Sequence, residues 1–82
     1  MPSREIIREE IRGIVAEVAD LPREEVAHDA TFSQLGVDSL RGLRIVVEIE
    51  KRYGIVISES EITKIHSMQD VYALVDAHSP AE

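Results

Sequence analysis

Apolar residues recur at helical spacing in the first quarter of the chain. Between Ser3 and Asp20 they form one stripe: Ile7, Ile11, Ile14 and Val18, widened by Ile6 and Val15. Steps of four, three and four residues predict an amphipathic helix that buries this face. Ser3 is suited to cap the first turn. We expect Leu21-Pro22 to end the helix, because the residue before a proline is pushed out of helical geometry.

The helical period returns after residue 38. Asp38 is a suitable N-cap for a second long helix, and Gly54 is a natural stop. The apolar residues expected near one face of this helix are Leu40, Leu43, Val46, Val47 and Tyr53. Gly42 interrupts the pattern, and a glycine inside a helix costs roughly 0.5–1 kcal/mol relative to alanine. It marks either a close approach by a partner or a tolerated weak point.

Shorter patterns fill the remaining chain. Pro22 to Val26 is suited to one helical turn, and the β-branched Ile55 to Ile57 predicts an extended connector. Ser58 to Glu61 has the pattern of a capping box that opens a short helix, and Ser67 to Asp70 resembles the start of a final helix that stops before Pro80. The short helix carries Ile62 and Ile65, and the final helix carries Met68, Val71, Tyr72, Leu74 and Val75.

A long loop separates the first two helices. Residues 27–37 show no helical period, and we expect Phe32 and Leu35 to anchor them and Gly36 to turn the chain. The sequence therefore predicts an all-α fold: a small four-helix bundle of three longer helices plus one short helix, with a long loop between the first and second helices. We treat residues 1–82 as a single domain with an ordered core at about 4–78.

Composition narrows the function classes. The 82 residues include nine Lys/Arg and sixteen Asp/Glu, a net charge of −7, which argues against a nucleic-acid partner because such proteins need a basic patch. No apolar run exceeds the five residues Val71 to Val75, so we expect no membrane span. The first residues lack the apolar stretch of a signal peptide, and the chain has no cysteine. We expect a cytoplasmic monomer.

The sequence contains no motif that is typical of a metal site or of a catalytic serine. His28, His66 and His78 stand at no metal-ligand spacing. The acidic stretch from Asp29 to Leu40 fails as a calcium loop, because its sixth and twelfth positions are not the required glycine and glutamate. Ser39 lacks the flanking glycines of a nucleophile elbow. We expect no metal and no catalytic residue.

The hexapeptide LGVDSL at residues 35–40 carries the most distinctive chemistry. It places the hydroxyl of Ser39 in the first turn of a helix, directly after a glycine-containing loop. Unpaired backbone N–H groups at a helix N-terminus stabilise a phosphate esterified there. The residues alone leave a second interpretation open, in which Asp38 and Ser39 only cap the helix.

This hexapeptide resembles the 4′-phosphopantetheine attachment motif of the carrier protein family, which comprises acyl carrier proteins and the peptidyl carrier domains of nonribosomal synthetases. The resemblance extends over nearly the whole chain, including the loop with Phe32 and the Tyr53-Gly54-Ile55 stretch. It implies that Ser39 accepts the prosthetic group, with Asp38 as the acidic residue before it and Leu40 as the apolar residue after it.

The resemblance implies a non-catalytic carrier. A phosphopantetheinyl transferase, with Mg²⁺ and coenzyme A, would join the cofactor's phosphate to Ser39 Oγ. The cofactor's terminal thiol would then hold cargo as a thioester, in keeping with the absence of cysteine. The further partners implied are an acyl- or aminoacyl-loading enzyme and downstream synthase enzymes, at which tethering raises the effective concentration of the cargo.

The resemblance also implies a docking surface on the helix after Ser39. The residues expected there are Val37, Leu40, Arg41, Arg44 and Glu48. In carriers of fatty-acid synthesis this helix is typically acidic, whereas here residues 38–52 sum to +1, and residues 1–37 and 54–82 sum to −4 each. This departure favours a dedicated carrier in a specialised pathway. The plainer alternative is that both arginines are solvated.

A cleft for an acyl chain is a further expectation. Its candidate lining residues are Leu43, Val47, Ile62, Ile65 and Val71. The alternative is that these are ordinary core residues.

Three functions remain open on the sequence: an acyl carrier of a polyketide or fatty-acid-like pathway, a free-standing peptidyl or aminoacyl carrier of a nonribosomal-peptide-type pathway, and a non-carrier helical interaction module in which Ser39 is only a cap.

Overall fold

The computed structural model describes residues 3–78 as a bundle of helices. The helices are α1 (Arg4–Ala19), α2 (Ser39–Tyr53), α3 (Glu59–Ile62) and α4 (Met68–His78), with a 3₁₀ turn at Arg23–Glu25. Three longer helices, one short helix and a long connection between α1 and α2 confirm the predicted fold class. The expected stop before Pro80 lies outside the described residues. No helix in residues 3–78 is long and apolar enough to cross a bilayer.

The inner face of α1 forms one side of the core. Its predicted stripe is buried at Ile7, Ile11, Ile14, Val15 and Val18. Ile6 is the exception, because its side chain is 53% exposed. One residue along an α-helix is about 100° of rotation, which carries Ile6 away from the face that Ile7 buries. The expectation that Ile6 widens the buried stripe was wrong.

Both ends of α1 are closed by local hydrogen bonds. Ser3 Oγ accepts a bond from the Ile6 N–H at 3.2 Å, as its capping role predicts. At the other end Asp20 adopts the left-handed conformation (φ 60°). The N–H groups of Asp20 and Leu21 return to the carbonyls of Glu17 and Ala16, at 3.3 and 2.9 Å. This is a Schellman closure, so α1 ends at Ala19 and Asp20 separates it from the Leu21-Pro22 pair.

The buried face of α2 differs from the predicted one. Ile45, Val46 and Ile49 are at most 3% exposed. Leu40, Leu43 and Val47 are 70%, 47% and 38% exposed, and Tyr53 is half-buried. Two apolar stripes run along this helix at the same 3–4 spacing, so periodicity alone does not tell which one packs against α1. Of the five residues expected near one face, Val46 packs in the core and Tyr53 against it.

The connection between α1 and α2 is fastened at both sides. Arg12 Nε donates to the Val26 carbonyl at 2.6 Å, and Arg12 Nη2 donates to the Arg23 carbonyl at 3.0 Å. Further along, an antiparallel bridge pairs Thr31 with Ser67. Phe32 and Leu35 are buried at 7% and 8% exposure, which confirms that they anchor this segment. The long loop is therefore an ordered part of the fold.

The short helix α3 is defined by its cap. Ser58 Oγ accepts from the Glu61 N–H, and Glu61 Oε1 accepts from the Ser58 N–H at 3.0 Å, which confirms the predicted capping box. Residues 55–57 before it form a connector that belongs to no helix or strand, as predicted, with Ile57 buried and Val56 81% exposed. At the start of α4, Ser67 Oγ accepts from the Asp70 N–H at 3.2 Å.

Candidate functional site

Ser39 is the first residue of α2, and its side chain is exposed. Asp38 is the N-cap, and its Oδ1 accepts a hydrogen bond from the Arg41 N–H at 2.9 Å. The Asp38 carbonyl accepts from the Gly42 N–H at 2.8 Å, which begins the helical ladder. The aspartate is therefore occupied in forming the helix start, and the serine hydroxyl beside it faces solvent.

The loop before Ser39 is shaped by reciprocal hydrogen bonds. Gln34 Oε1 accepts from the Thr31 N–H at 2.9 Å, and Thr31 Oγ1 accepts from the Gln34 N–H at 3.1 Å. Gly36 then turns the chain with φ +72°, a backbone conformation that favours glycine. The Val37 N–H closes the turn on the Phe32 carbonyl at 2.9 Å. These bonds fix where the chain enters α2 and so where Ser39 stands.

A groove of about 610 Å³ opens directly beside Ser39. Its walls come from segments far apart in sequence, and they include Phe32, Val37, Leu43, Val46, Ile62 and Ile65. Polar side chains stand among them, including Ser33, Thr63 and His66. The bridge between Thr31 and Ser67 holds the two walls together, because the Phe32 N–H donates to the His66 carbonyl at 2.9 Å. The groove is an open cleft with an apolar lining and a few polar groups.

The α3 wall of this groove is tied to α4. His78 Nε2 lies 2.7 Å from Glu61 Oε2, across the two helices. The Ser58 backbone N–H, followed by the His78 side chain, stabilises the carboxylate and lowers the pKa of Glu61 to about 2. Glu61 thus caps α3 and anchors it to the end of the bundle.

A second, shallower groove lies on the outer surface of α2. It measures about 260 Å³ and is lined by Leu40, Leu43, Arg44, Val47 and Glu48. Leu43 borders both grooves. The expected docking residues Leu40, Arg41, Arg44 and Glu48 are all exposed along α2, whereas Val37 is half-buried and lines the larger groove.

The expected cleft residues do not all meet. Leu43, Ile62 and Ile65 line the larger groove. Val47 faces the outer groove, and Val71 is 1% exposed within the core, so the structure places neither in the cleft. Sequence reasoning missed Phe32, Val46 and His66 as lining residues. For Phe32 the one signal was the length of the loop before Ser39, and that length says nothing about the pairing of this loop with residues 66–68.

Charge on α2 is distributed unevenly. The helix carries four Arg/Lys and two Glu in a chain of net charge −7. One of these acids, Glu50, is occupied by the backbone, because its Oε2 accepts from the Ile57 N–H at 2.8 Å. The ion pairs within residues 3–78 include neither Arg41 nor Arg44. The helix α2 therefore carries a net charge of +2, and the exposed N-cap Asp38 adds one negative charge next to Ser39.

Known proteins are similar to this chain in sequence. Residues 9–75 match the family described as "Phosphopantetheine attachment site". The chain is 46% identical over 69 residues to polyketide-8 synthase acyl carrier protein 2 of Streptomyces avermitilis, covering 83% of this chain and 79% of the relative. It is 34% identical over 73 residues to an acyl carrier protein of Rickettsia bellii, covering 88% and 85%.

A solved structure agrees with these relatives. The acyl carrier protein of Thermotoga maritima superposes with a TM-score of 0.79 at 27% identity, covering 92% of this chain and 88% of that one. The family match spans α2 and most of α1 and α4, so it includes the exposed serine, its capping aspartate and both walls of the groove. The chain belongs to the phosphopantetheine-binding family of acyl carrier proteins.

Proposed function

We propose that Ser39 is the attachment residue for 4′-phosphopantetheine and that the chain carries acyl groups in a polyketide-type pathway. The observation that carries the proposal is the position of Ser39. It is an exposed hydroxyl at the first residue of α2, beside an open groove, within the part of the chain that matches the attachment family.

The surroundings of Ser39 suit a phosphodiester. Backbone N–H groups in the first turn of a helix have no helical acceptor, and the helix dipole favours negative charge there. Asp38 directs its carboxylate at the Arg41 N–H, where it forms a cap. The exposed side chains of Arg41 and Arg44 add positive potential on the same helix. The residues present therefore fit the phosphate end of the prosthetic group.

Attachment requires an external enzyme. We propose that a phosphopantetheinyl transferase uses coenzyme A as donor: Ser39 Oγ forms a bond to phosphorus, the bond to the adenosine bisphosphate breaks, and the hydroxyl proton leaves. When attached, the group supplies a terminal thiol for thioester chemistry, which a chain with no cysteine lacks. This chain presents the serine and performs no catalysis in the proposal.

The larger groove suits a shelter for the cargo. Its volume of about 610 Å³ lies within the range of roughly 300–1,000 Å³ that small-molecule sites occupy. Leu43, Ile62 and Ile65 provide the apolar lining proposed for the acyl chain. The polyketide assignment is supported by the Streptomyces avermitilis relative, a polyketide synthase acyl carrier protein that is 46% identical to this chain over 69 residues.

Intact-mass measurement tests the proposal directly. The unmodified protein is incubated with coenzyme A, Mg²⁺ and a transferase of broad specificity. Ser33 provides a matched control, because it is also an exposed serine bordering the same groove. We expect the wild type and Ser33→Ala to gain one phosphopantetheine and Ser39→Ala to gain none. A wild type that gains no mass with several active transferases, or a Ser39→Ala variant that gains it, contradicts the proposal.

A further inference from the structure

Polar side chains line the groove beside Ser39 together with the apolar ones. Besides Ser39 itself they are Ser33, Asp38, Thr63 and His66. Two of these side chains are bonded within the protein. The Asp38 carboxylate accepts from the Arg41 N–H at 2.9 Å. Thr63 Oγ1 donates to the Ser60 carbonyl at 2.8 Å.

His66 differs from these two residues, because its backbone is bonded and its ring is not. Its N–H donates to Asp70 Oδ2 at 2.8 Å, and its carbonyl accepts from the Phe32 N–H at 2.9 Å. The side-chain hydrogen bonds and ion pairs within residues 3–78 do not include the His66 ring. The residue is therefore fixed in position, and its exposed imidazole can bond to a molecule in the groove.

An imidazole in this position always offers a hydrogen-bond donor. The neutral ring has one N–H group and the protonated ring has two. The side chains of Leu43, Ile62 and Ile65 in the same groove have no polar atoms. A saturated acyl chain gains only from such apolar side chains, whereas a chain with a keto oxygen also accepts a bond from the ring. A saturated chain lying against His66 displaces water from the N–H and returns no bond.

We infer that His66 is a specificity-determining residue, which makes the groove favour acyl chains with a keto oxygen over saturated chains of the same length. This inference rests on the proposed carrier function and names the class of cargo. Ser39 and His66 line one groove, so cargo tethered at the serine reaches the ring without leaving it. A site that bonds to a substrate oxygen discriminates against the analogue that lacks this oxygen. Because water also reaches the exposed ring, we expect a preference of roughly three- to tenfold, the range of one ordinary hydrogen bond.

Thiol exchange measures how far the groove shelters each cargo. A transferase attaches pantetheine that already carries an octanoyl or a 3-oxo-octanoyl thioester to Ser39. The thiolate of 2-mercaptoethanol then attacks the thioester carbonyl, takes the acyl group as a new thioester and releases the pantetheine thiol, which intact mass follows. Dividing the exchange rate on free pantetheine by the rate on the carrier gives a protection factor, in which the intrinsic reactivity of each acyl group cancels.

Three variants separate the donor from the shape of the side chain. His66→Leu removes the donor, and His66→Gln keeps an N–H group. Lys64→Leu is the matched control, because Lys64 is exposed two positions away and lines a different groove. Urea unfolding of each variant shows that the comparison is made between folded proteins.

The wild type should protect the 3-oxo-octanoyl group roughly three- to tenfold more than the octanoyl group. His66→Leu should abolish this preference, whereas His66→Gln and Lys64→Leu should retain most of it. A wild type without the preference, or a Lys64→Leu variant that loses it, overturns the inference. A His66→Gln variant that loses it as fully as His66→Leu also overturns the inference, because the donor is then not the cause.

A carbon-13 label at the keto carbon reports the hydrogen bond itself. A carbonyl carbon resonates further downfield when its oxygen accepts a hydrogen bond. We expect a downfield shift on the wild type relative to the same cargo on free pantetheine, and His66→Leu should remove it. If His66→Leu instead lowers the protection of both cargoes equally and leaves this resonance unchanged, the ring only supports the wall of the groove, and the inference is overturned.

The first step of the experiment distinguishes the two proposals. A wild type that takes up no prosthetic group overturns the proposed function and this inference with it. Normal uptake at Ser39 with equal protection of both cargoes overturns the inference alone.

Discussion

Tyr53 Oη donates a hydrogen bond to Glu10 Oε1 at 2.8 Å, which joins the last residue of α2 to the middle of α1. Burial and this bond raise the pKa of the Tyr53 phenol, because both disfavour its ionised form. This hydrogen bond holds the C-terminal end of α2 against α1, whereas Ser39 lies at the capped N-terminal end of the same helix. The helix that carries the candidate site is thus held to α1 at the end away from it.

Removing this hydroxyl should weaken the bundle and leave the site intact. Tyr53→Phe keeps the ring but leaves Glu10 without its donor, and hydrogen bonds to charged groups are worth about 1.5–3 kcal/mol when buried. Since both side chains are partly exposed, we expect a loss of about 1 kcal/mol in the free energy of unfolding by urea. Ser39 modification should proceed at the wild-type rate. An unchanged unfolding midpoint would contradict the role assigned to this bond.

The sequence predicts the features of this fold that depend on neighbouring residues, but not those that depend on contacts between distant segments. The caps at Ser3 and Ser58 follow from residues three positions apart, so the sequence predicts them correctly. The N-cap role of Asp38 follows in the same way, and with it the position of Ser39 at a helix start. The groove depends instead on a pairing between Thr31 and Ser67, which are 36 positions apart. No periodicity reports such a contact.

Alanine substitutions can show which of the two apolar stripes of α2 is buried, a question that the periodicity of the sequence leaves open. Ile45 is fully buried in the core, whereas Leu43 is 47% exposed. Ile45→Ala should therefore lower the free energy of unfolding by about 2–5 kcal/mol, the usual cost of a large-to-alanine change in a core. Leu43→Ala should cost less than about 1 kcal/mol, because much of its side chain already contacts water. Equal losses in urea unfolding would show that both stripes are buried.

Two glycines inside helices should respond differently to alanine. A Cβ on Gly42 would meet only Val37 Cγ1, at 4.0 Å, whereas a Cβ on Gly13 would lie 2.5 Å from Arg23 Nη2. Alanine is more favourable than glycine in a helix interior by about 0.8–1.0 kcal/mol. Gly42→Ala should therefore raise the unfolding free energy by about that amount. Gly13→Ala should gain less, because the Arg23 side chain has to move.

The rate of Ser39 modification then separates the two interpretations of Gly42. If the glycine is needed for close approach by the prosthetic arm or by a partner such as the transferase, Gly42→Ala should slow phosphopantetheine uptake although the protein is more stable. If it is a tolerated weak point, uptake should match the wild type. Gly13→Ala serves as the control, since Gly13 lies on α1 and lines none of the grooves around Ser39.

Acid should reduce the stability that the Glu61 carboxylate contributes through its contacts with the Ser58 N–H and with His78 at the end of α4. The Ser58 N–H and His78 lower the pKa of Glu61 from 4.5 to about 2, so the folded state favours the ionised carboxylate. A depressed pKa in the folded state contributes stability that is complete above the unfolded value and is lost as pH falls towards the folded value. The stability difference between wild type and Glu61→Gln should therefore be largest above pH 4.5 and should shrink between pH 4.5 and about 2. Glu59→Gln, in the same short helix, is the control for a general effect of losing one carboxylate. Urea unfolding at several pH values in this window measures the differences. If the difference between wild type and Glu61→Gln stays constant down to pH 2, the ionised Glu61 carboxylate is not a source of stability.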